Sequence, residues 1–496
     1  MADRRLAGML AALGLASAVP SVADAALPVP PTTIGLNISP PNPFRRARAF
    51  ANLAVGGSWQ SAQPKSPAVG PDSVDKRGNL KQLADGKPAF RILSQPTSDT
   101  KEATIKCTYD GRGSIRPSGK GARDVRMEQG GFSFHWVNGG SYNDSLVMVT
   151  VSALDPADPI RNLDCRETTL PRTARFDPAF LEMLRGFKIL RFMDWQNVNN
   201  NAAVTWATRH SEGALDVNNA DGVAIEDMLA LAKQTGAIPW FNMPWNADDD
   251  YVERFARLVH DSLPPDRIVY VEEGNEVWNA RFPVSKQALQ EGLAANLSAK
   301  TEEARLFRYA ERLQRAMDIW AKVFADRPSR LVRVANCQNW ALRAQMVLTY
   351  KNTYKHIDAL ATAPYFGVDF RSKPPASPDE AFPRLEASMD QVLGNALEAK
   401  AVAAKYGKRY IAYEAGQHII LNDVELASQV QRDPRMYDAY RRYLSLWKSQ
   451  IGDTLMMYTS VQPVVQWGGW GLLEYSGQPL SEAPKMRAVR DALKGD

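Results

Sequence analysis

From about residue 185 to its end, the chain repeats one pattern: a short apolar run, then a longer segment with apolar residues every three or four positions. The runs fall at residues 187–193, 238–243, 268–273, 331–335, 357–363, 409–413 and 455–459. Short continuous apolar runs of this kind predict strands buried on both faces. The intervening segments read as helices. Residues 223–235 place Ile225, Met228, Leu229 and Ala232 on one face and stop at Gly236. Residues 302–325 carry Leu306, Tyr309, Leu313, Met317, Trp320 and Phe324 at helical spacing, a stripe that suits a core. Further helices are predicted over 251–263, 341–350, 380–406, from Asp433-Pro434 to Gly452, and over 483–493. Asp248, Asp249 and Asp250 suit a helix N-terminus better than a metal. Strands that alternate with helices must run parallel, because each crossover returns the chain to the same end of the sheet.

Seven strands are one short of a closed barrel. Residues 33–38 (TIGLNI) supply the eighth. The predicted class is therefore α/β: a (β/α)8 TIM barrel with a small antiparallel β accessory domain inserted near the N-terminus. Residues 75–172, rich in Gly, Ser, Thr and Asp with short alternating runs at 103–109, 131–136 and 146–151, form the accessory domain. Residues 26–74 hold the first barrel strand and its connection, and 173–496 the rest of the barrel. The alternative is an N-terminal β domain followed by a barrel with an extra strand near Trp470.

Arg4 and Arg5, the apolar residues 6–19 and Ala23-Asp24-Ala25 read as a signal peptide over residues 1–25, cleaved after Ala25. The expected location is periplasmic or extracellular. The apolar stretch is shorter than the roughly 20 residues a bilayer demands, so no integral membrane span is expected. A net charge of +5 without a Lys/Arg run argues against nucleic acid as a partner. Cys107 and Cys165 fall in the same β region and read either as a disulfide or as two buried thiols; Cys337 is the odd one. Metal-binding spacings, a dinucleotide fingerprint and a G-x-S-x-G elbow are all missing, so neither metal nor cofactor is expected.

Two motifs carry the chemistry. VEEGNEVWN (271–279) ends a predicted strand in Asn275-Glu276 and adds Trp278; YIAYEAGQH (410–418) ends another in Glu414. With TIGLNI as the first strand, Glu276 follows the fourth and Glu414 the seventh. Two glutamates presented in this way point to glycoside hydrolysis by a carboxylate pair. The barrel portion resembles the clan A glycoside hydrolases, and in particular a bacterial group sharing N-E-V-W-N, Y-E-(G/A)-G-Q-H and an ending that stands here as WGGWGLLEY (467–475). The resemblance implies that Glu276 is the acid/base and Glu414 the nucleophile, with an Arg on the second strand and a His or Tyr on the sixth. Arg191 and Tyr365 fill those positions.

The chemistry of those roles is demanding. Retention of configuration needs the two carboxyls on opposite faces of the sugar, roughly 5 Å apart. Glu276 must hold a proton at rest, which burial beside Trp278 favours, and Glu414 must stay ionised, which the Arg191 cation favours. Asn275 is placed to bind the substrate 2-hydroxyl. Glu272 and Glu273, earlier on the strand, read as barrel-interior or supporting groups. Sugar faces stack on aromatic rings, which nominates Trp195, Trp245, Trp278, Phe366 and, under the reacting sugar, Trp467 in preference to Trp470. Polar rim candidates are His418, Asp194, Gln196, Asn199, Asn242, Gln338 and Gln417. The expected activity is that of a retaining β-glycosidase acting on a polysaccharide or oligosaccharide. The rivals are a glycan-binding protein of exopolysaccharide handling with slow or lost hydrolysis, and a transglycosylase.

Overall fold

The computed structural model describes residues 30–495 apart from 64, 66, 97–101, 139–142 and 220; the expected signal peptide lies outside the described residues. Eight parallel strands close a barrel in chain order. They are β1 (Thr33–Asn37), β2 (Ile189–Arg191), β3 (Ile238–Met243), β4 (Val269–Glu273), β5 (Leu331–Asn336), β6 (Ala359–Thr362), β7 (Arg409–Ala415) and β8 (Thr454–Met457). TIGLNI is the missing strand. It pairs with β2 through Asn37↔Arg191 and with β8 through Leu36↔Met457, so the seam closes between the first and last strands. Trp470 belongs to no strand.

The barrel interior is packed with Ile189, Trp240, Tyr270, Val334, Ile411, Tyr413 and Met456. Gly35 shows how tight that packing is: a Cβ there would lie 2.9 Å from the Ile189 carbonyl oxygen and would collide with the Met456 side chain. Helices ring the strands where the apolar stripes predicted them. Asp248 caps the helix Asp249–Ser262, accepting from the Tyr251 N–H, which is the role expected of that acidic run. Three helices were not foreseen: Pro178–Leu184, seven residues opened by the Asp177 cap, and two more. Pro283–Ala294 has a weak stripe because Gly292 is pressed against the Ala304 backbone of the next helix, a close approach that needs no large apolar residue. Val424–Arg432 is only nine residues long and relies on the Asp423 cap.

Between β1 and β2 the chain builds two four-stranded antiparallel sheets. In sheet order, the first contains Gln60–Ser61, Ala89–Ile92, Met148–Leu154 and Gly113–Ser118. The second contains Ala122–Glu128, Gly131–Val137, Glu102–Asp110 and Arg161–Glu167. Alternation turns Phe132, Phe134 and Trp136 inward. Cys107 and Cys165 are directly opposed on neighbouring strands and form a disulfide. The first sheet starts at Gln60, upstream of the Gly/Ser-rich region that announced it. Arg48, buried on the connection from β1, bonds Glu167 at 2.5 Å and Asp177 at 3.3 Å and so ties these sheets to the barrel. No helix among the described residues is long and apolar enough to cross a membrane.

Candidate active site

Arg191 organises the C-terminal mouth of the barrel. It is fully buried on β2. Its Nη1 donates to Asn37 Oδ1 at 2.8 Å and to Glu414 Oε1 at 2.9 Å; its Nη2 donates to Asn275 Oδ1 at 2.9 Å and its Nε to Glu272 Oε1 at 3.0 Å. Burial opposes the guanidinium charge, but Glu272 and Glu414 outweigh it and raise the Arg191 pKa. One cation therefore joins β1, β2, β4 and β7.

Glu414 lies at the end of β7, and its second oxygen accepts from Tyr365 Oη at 2.9 Å. The preceding Tyr413 also points inward, although neighbours on a regular strand face opposite ways. The pairing with β8 explains this: Ala412 faces Leu455 but Ala415 faces Met457, so β7 carries one extra residue. With this bulge both Tyr413 and Glu414 face the axis.

Glu276 sits just past β4 with φ of 45°, after Gly274 with φ of 58°. The left-handed turn lets the chain leave the strand while returning the Glu276 carboxyl to the mouth. A left-handed non-glycine costs about 1 kcal/mol, which a site can retain when its neighbours hold the turn. Here the Asn279 N–H closes it on the Glu276 carbonyl at 2.8 Å. The carboxyl accepts from Tyr413 Oη at 3.1 Å and Asn279 Nδ2 at 2.8 Å. Trp278 Nε1 donates in turn to Tyr413 Oη at 3.3 Å.

The two carboxyls are held differently. Burial and then the nearby Glu414 charge push Glu276 up to about 8, and its hydrogen bonds come from neutral groups. Burial also raises Glu414, but Arg191 and Tyr365 oppose it directly. The surroundings therefore favour the negative charge on Glu414 and the proton on Glu276. Asp194, beyond β2, is a third carboxyl close by, raised to about 7 by burial and by Glu414 and hydrogen-bonded to Tyr458.

The aromatic expectations divide. Trp278 is half-buried beside Glu276, as its place in the motif suggested. Trp195 is fully buried among Phe50, Phe180 and Phe192, with its N–H on the Ser39 carbonyl, and offers no face to a sugar. Trp245 is buried too, under Arg312 and bonded to Glu291. Phe366 is core, packed on Tyr440 and Tyr443. Trp467 is 62% exposed, whereas Trp470 packs against His418 and Tyr458, the residues that flank Tyr365. Trp470 Nε1 donates to His418 Nδ1 at 3.2 Å, and burial lowers the His418 pKa, so His418 is neutral at pH 7. Trp470 thus packs beside the residues around Glu414, while Trp467 projects into solvent. Asn37, Tyr413, Asn279 and Tyr458 are site residues that sequence reasoning passed over. Asn279 and Tyr413 stood inside the two motifs, three residues after Glu276 and one before Glu414.

No protein-family model and no curated protein matches this chain. Among solved structures, the chain is similar to a GH51 arabinofuranosidase from Xanthomonas axonopodis pv. citri, at 13% identity over 60% of this chain and 62% of that one, with a TM-score of 0.42. It is similar to an alpha-L-arabinofuranosidase from Thermotoga maritima at 12% identity over 64% and 62%, TM-score 0.41. It is also similar to a GH5-4 broad specificity endoglucanase from Clostridium acetobutylicum at 11% identity over 65% and 92%, TM-score 0.37. The match spans 62% of the length of each arabinofuranosidase.

Proposed function

We propose that the protein is an exported retaining β-glycoside hydrolase acting on a polysaccharide or oligosaccharide. The observation that carries this reading is the unequal treatment of two buried carboxyls at the mouth of one barrel. Glu414 is gripped by a guanidinium and a phenol, while Glu276 is buried among neutral donors. A nucleophile must be ionised and a general acid must carry a proton, and this environment separates the two states.

In the first step Glu276 gives its proton to the leaving glycosidic oxygen as Glu414 attacks the anomeric carbon, forming a glycosyl ester and releasing the aglycone alcohol. In the second step Glu276, now ionised, takes a proton from water, whose oxygen attacks the anomeric carbon and expels Glu414. Asn275, oriented by Arg191, binds the 2-hydroxyl; Trp278 and Trp470 flank the sugar. The test is a polysaccharide panel with Glu276→Gln as control and the product anomer read by NMR. Net retention with a dead control supports the reading. Inversion, or activity equal in the control, refutes it, and binding without turnover supports the glycan-binding alternative.

A further inference from the structure

Arg191 carries one positive charge and serves two buried carboxylates. Glu272 Oε1 accepts from Arg191 Nε and Nη2 and from Asn242 Nδ2, while its other oxygen, Oε2, is buried with no hydrogen-bond partner among the described residues. Three donors on one oxygen and none on the other is an unusual distribution for a carboxylate, which ordinarily divides its partners between both oxygens. It concentrates the hold of Arg191 on Oε1 and leaves Oε2 without a donor. The neighbouring guanidinium arm, Nη1, is the one that holds Glu414. Glu272 and Glu414 therefore share one guanidinium, which Asn37 and Asn275 also hold.

We propose that Glu272 is a positioning residue that sets the ionisation of Glu414 by competing with it for Arg191. The proposal rests on the reading of Glu414 as nucleophile. The groups facing Glu414 are Arg191 and Asp194 from the β2 side, Glu272 and Glu276 from the β4 side, and Tyr365, Tyr413 and Tyr458. Arg191 is the cation directly bonded to it, so division of that one charge decides the outcome. Those facing Glu272 are Arg191, Glu414 and, from the helix Thr301–Val323, Tyr309. When Glu272 is neutral, the whole guanidinium charge serves Glu414. When Glu272 ionises, the charge is divided and Glu414 meets a second negative neighbour. Both effects have the same sign, and by linkage they act equally in the other direction.

The test reads titration directly, by 13C NMR of protein labelled at the glutamate Cδ, with each signal assigned from the Glu→Gln variant that removes it. Glu272→Gln keeps the shape and an acceptor oxygen but removes the charge. The Glu414 midpoint is expected to fall by about one pH unit, the size of effect one neighbouring charge exerts. In Glu414→Gln the Glu272 midpoint is expected to fall by the same amount. That second arm stands even if Glu272→Gln does not fold, with Glu272→Asp then serving the assignment. An unmoved midpoint in either folded variant, judged by circular dichroism, overturns the proposal. Turnover is read in neither arm, so a protein that cleaves no glycan refutes the hydrolase reading separately.

Discussion

Tyr413→Phe isolates the group that holds the Glu276 carboxyl. The substitution removes one oxygen and leaves the ring in place beneath Arg191, 5.1 Å from the guanidinium carbon. The lost oxygen donates to Glu276 at 3.1 Å. A hydrogen bond to a charged acceptor is worth about 1.5–3 kcal/mol, and one pH unit corresponds to about 1.36 kcal/mol. The ceiling is therefore about two units. Asn279 keeps its 2.8 Å bond and partly compensates, so an upward shift of about one unit is expected. The direction follows from the donor: it stabilises the ionised carboxylate, so its removal makes Glu276 hold its proton to higher pH. The basic limb of kcat/KM, measured from pH 5 to 10 on the best panel substrate, should move up by about one unit relative to the unsubstituted protein. A limb that stays or moves down would refute the assignment of Glu276 as the acid.

Glu414→Gln should lower kcat by at least about 1000-fold, the scale of losing an essential nucleophile, with an unchanged circular dichroism spectrum. Gly468→Ala should raise KM by about fivefold to tenfold, because a Cβ there lies 2.4 Å from the Trp470 ring and the φ of 137° suits only glycine; Trp467→Ala should change KM less. Replacing Cys107 and Cys165 by Ser should cost about 2–4 kcal/mol in urea unfolding, since the bond spans 58 residues. Glu272, Glu273 and Glu276 are raised to about 7, 8 and 8, against about 4.3 in an unfolded chain. The folded state therefore holds protons that unfolding releases, and the stability these groups provide is lost as pH rises toward their folded values. The thermal midpoint should fall from pH 5 to pH 7, and Glu273→Gln should flatten that fall.

The barrel is readable because most strands are dominated by apolar residues and most helices carry a full stripe. The unpredicted helices lack one of those signals: Pro283–Ala294 exchanges apolar bulk for the close approach at Gly292, and Pro178–Leu184 and Val424–Arg432 are too short. Glu276, Glu414, Arg191 and Tyr365 could be nominated from strand order, because strand ends place side chains at one mouth. Tyr413 could not, since alternation from an inward Glu414 would send it outward; it shares the interior face with Ile411, and the bulge, a matter of register with β8, turns Glu414 to the same side. The tryptophans misled for a related reason. Position after a strand says nothing of which way a loop folds, and Trp195 and Trp245 turn back into the packing between barrel and helices.

The seam between the first and last strands has a consequence for biosynthesis. Asn37, which receives a bond from Arg191, also donates to the carbonyls of Tyr413 and Met457, 376 and 420 positions downstream. While the nascent chain is growing, TIGLN waits with an open edge until almost all of the polypeptide has left the ribosome. A chain cut short after residue 450 would retain both glutamates and Arg191 yet lack the neighbour that completes the cylinder, and would be inert for want of closure rather than of chemistry.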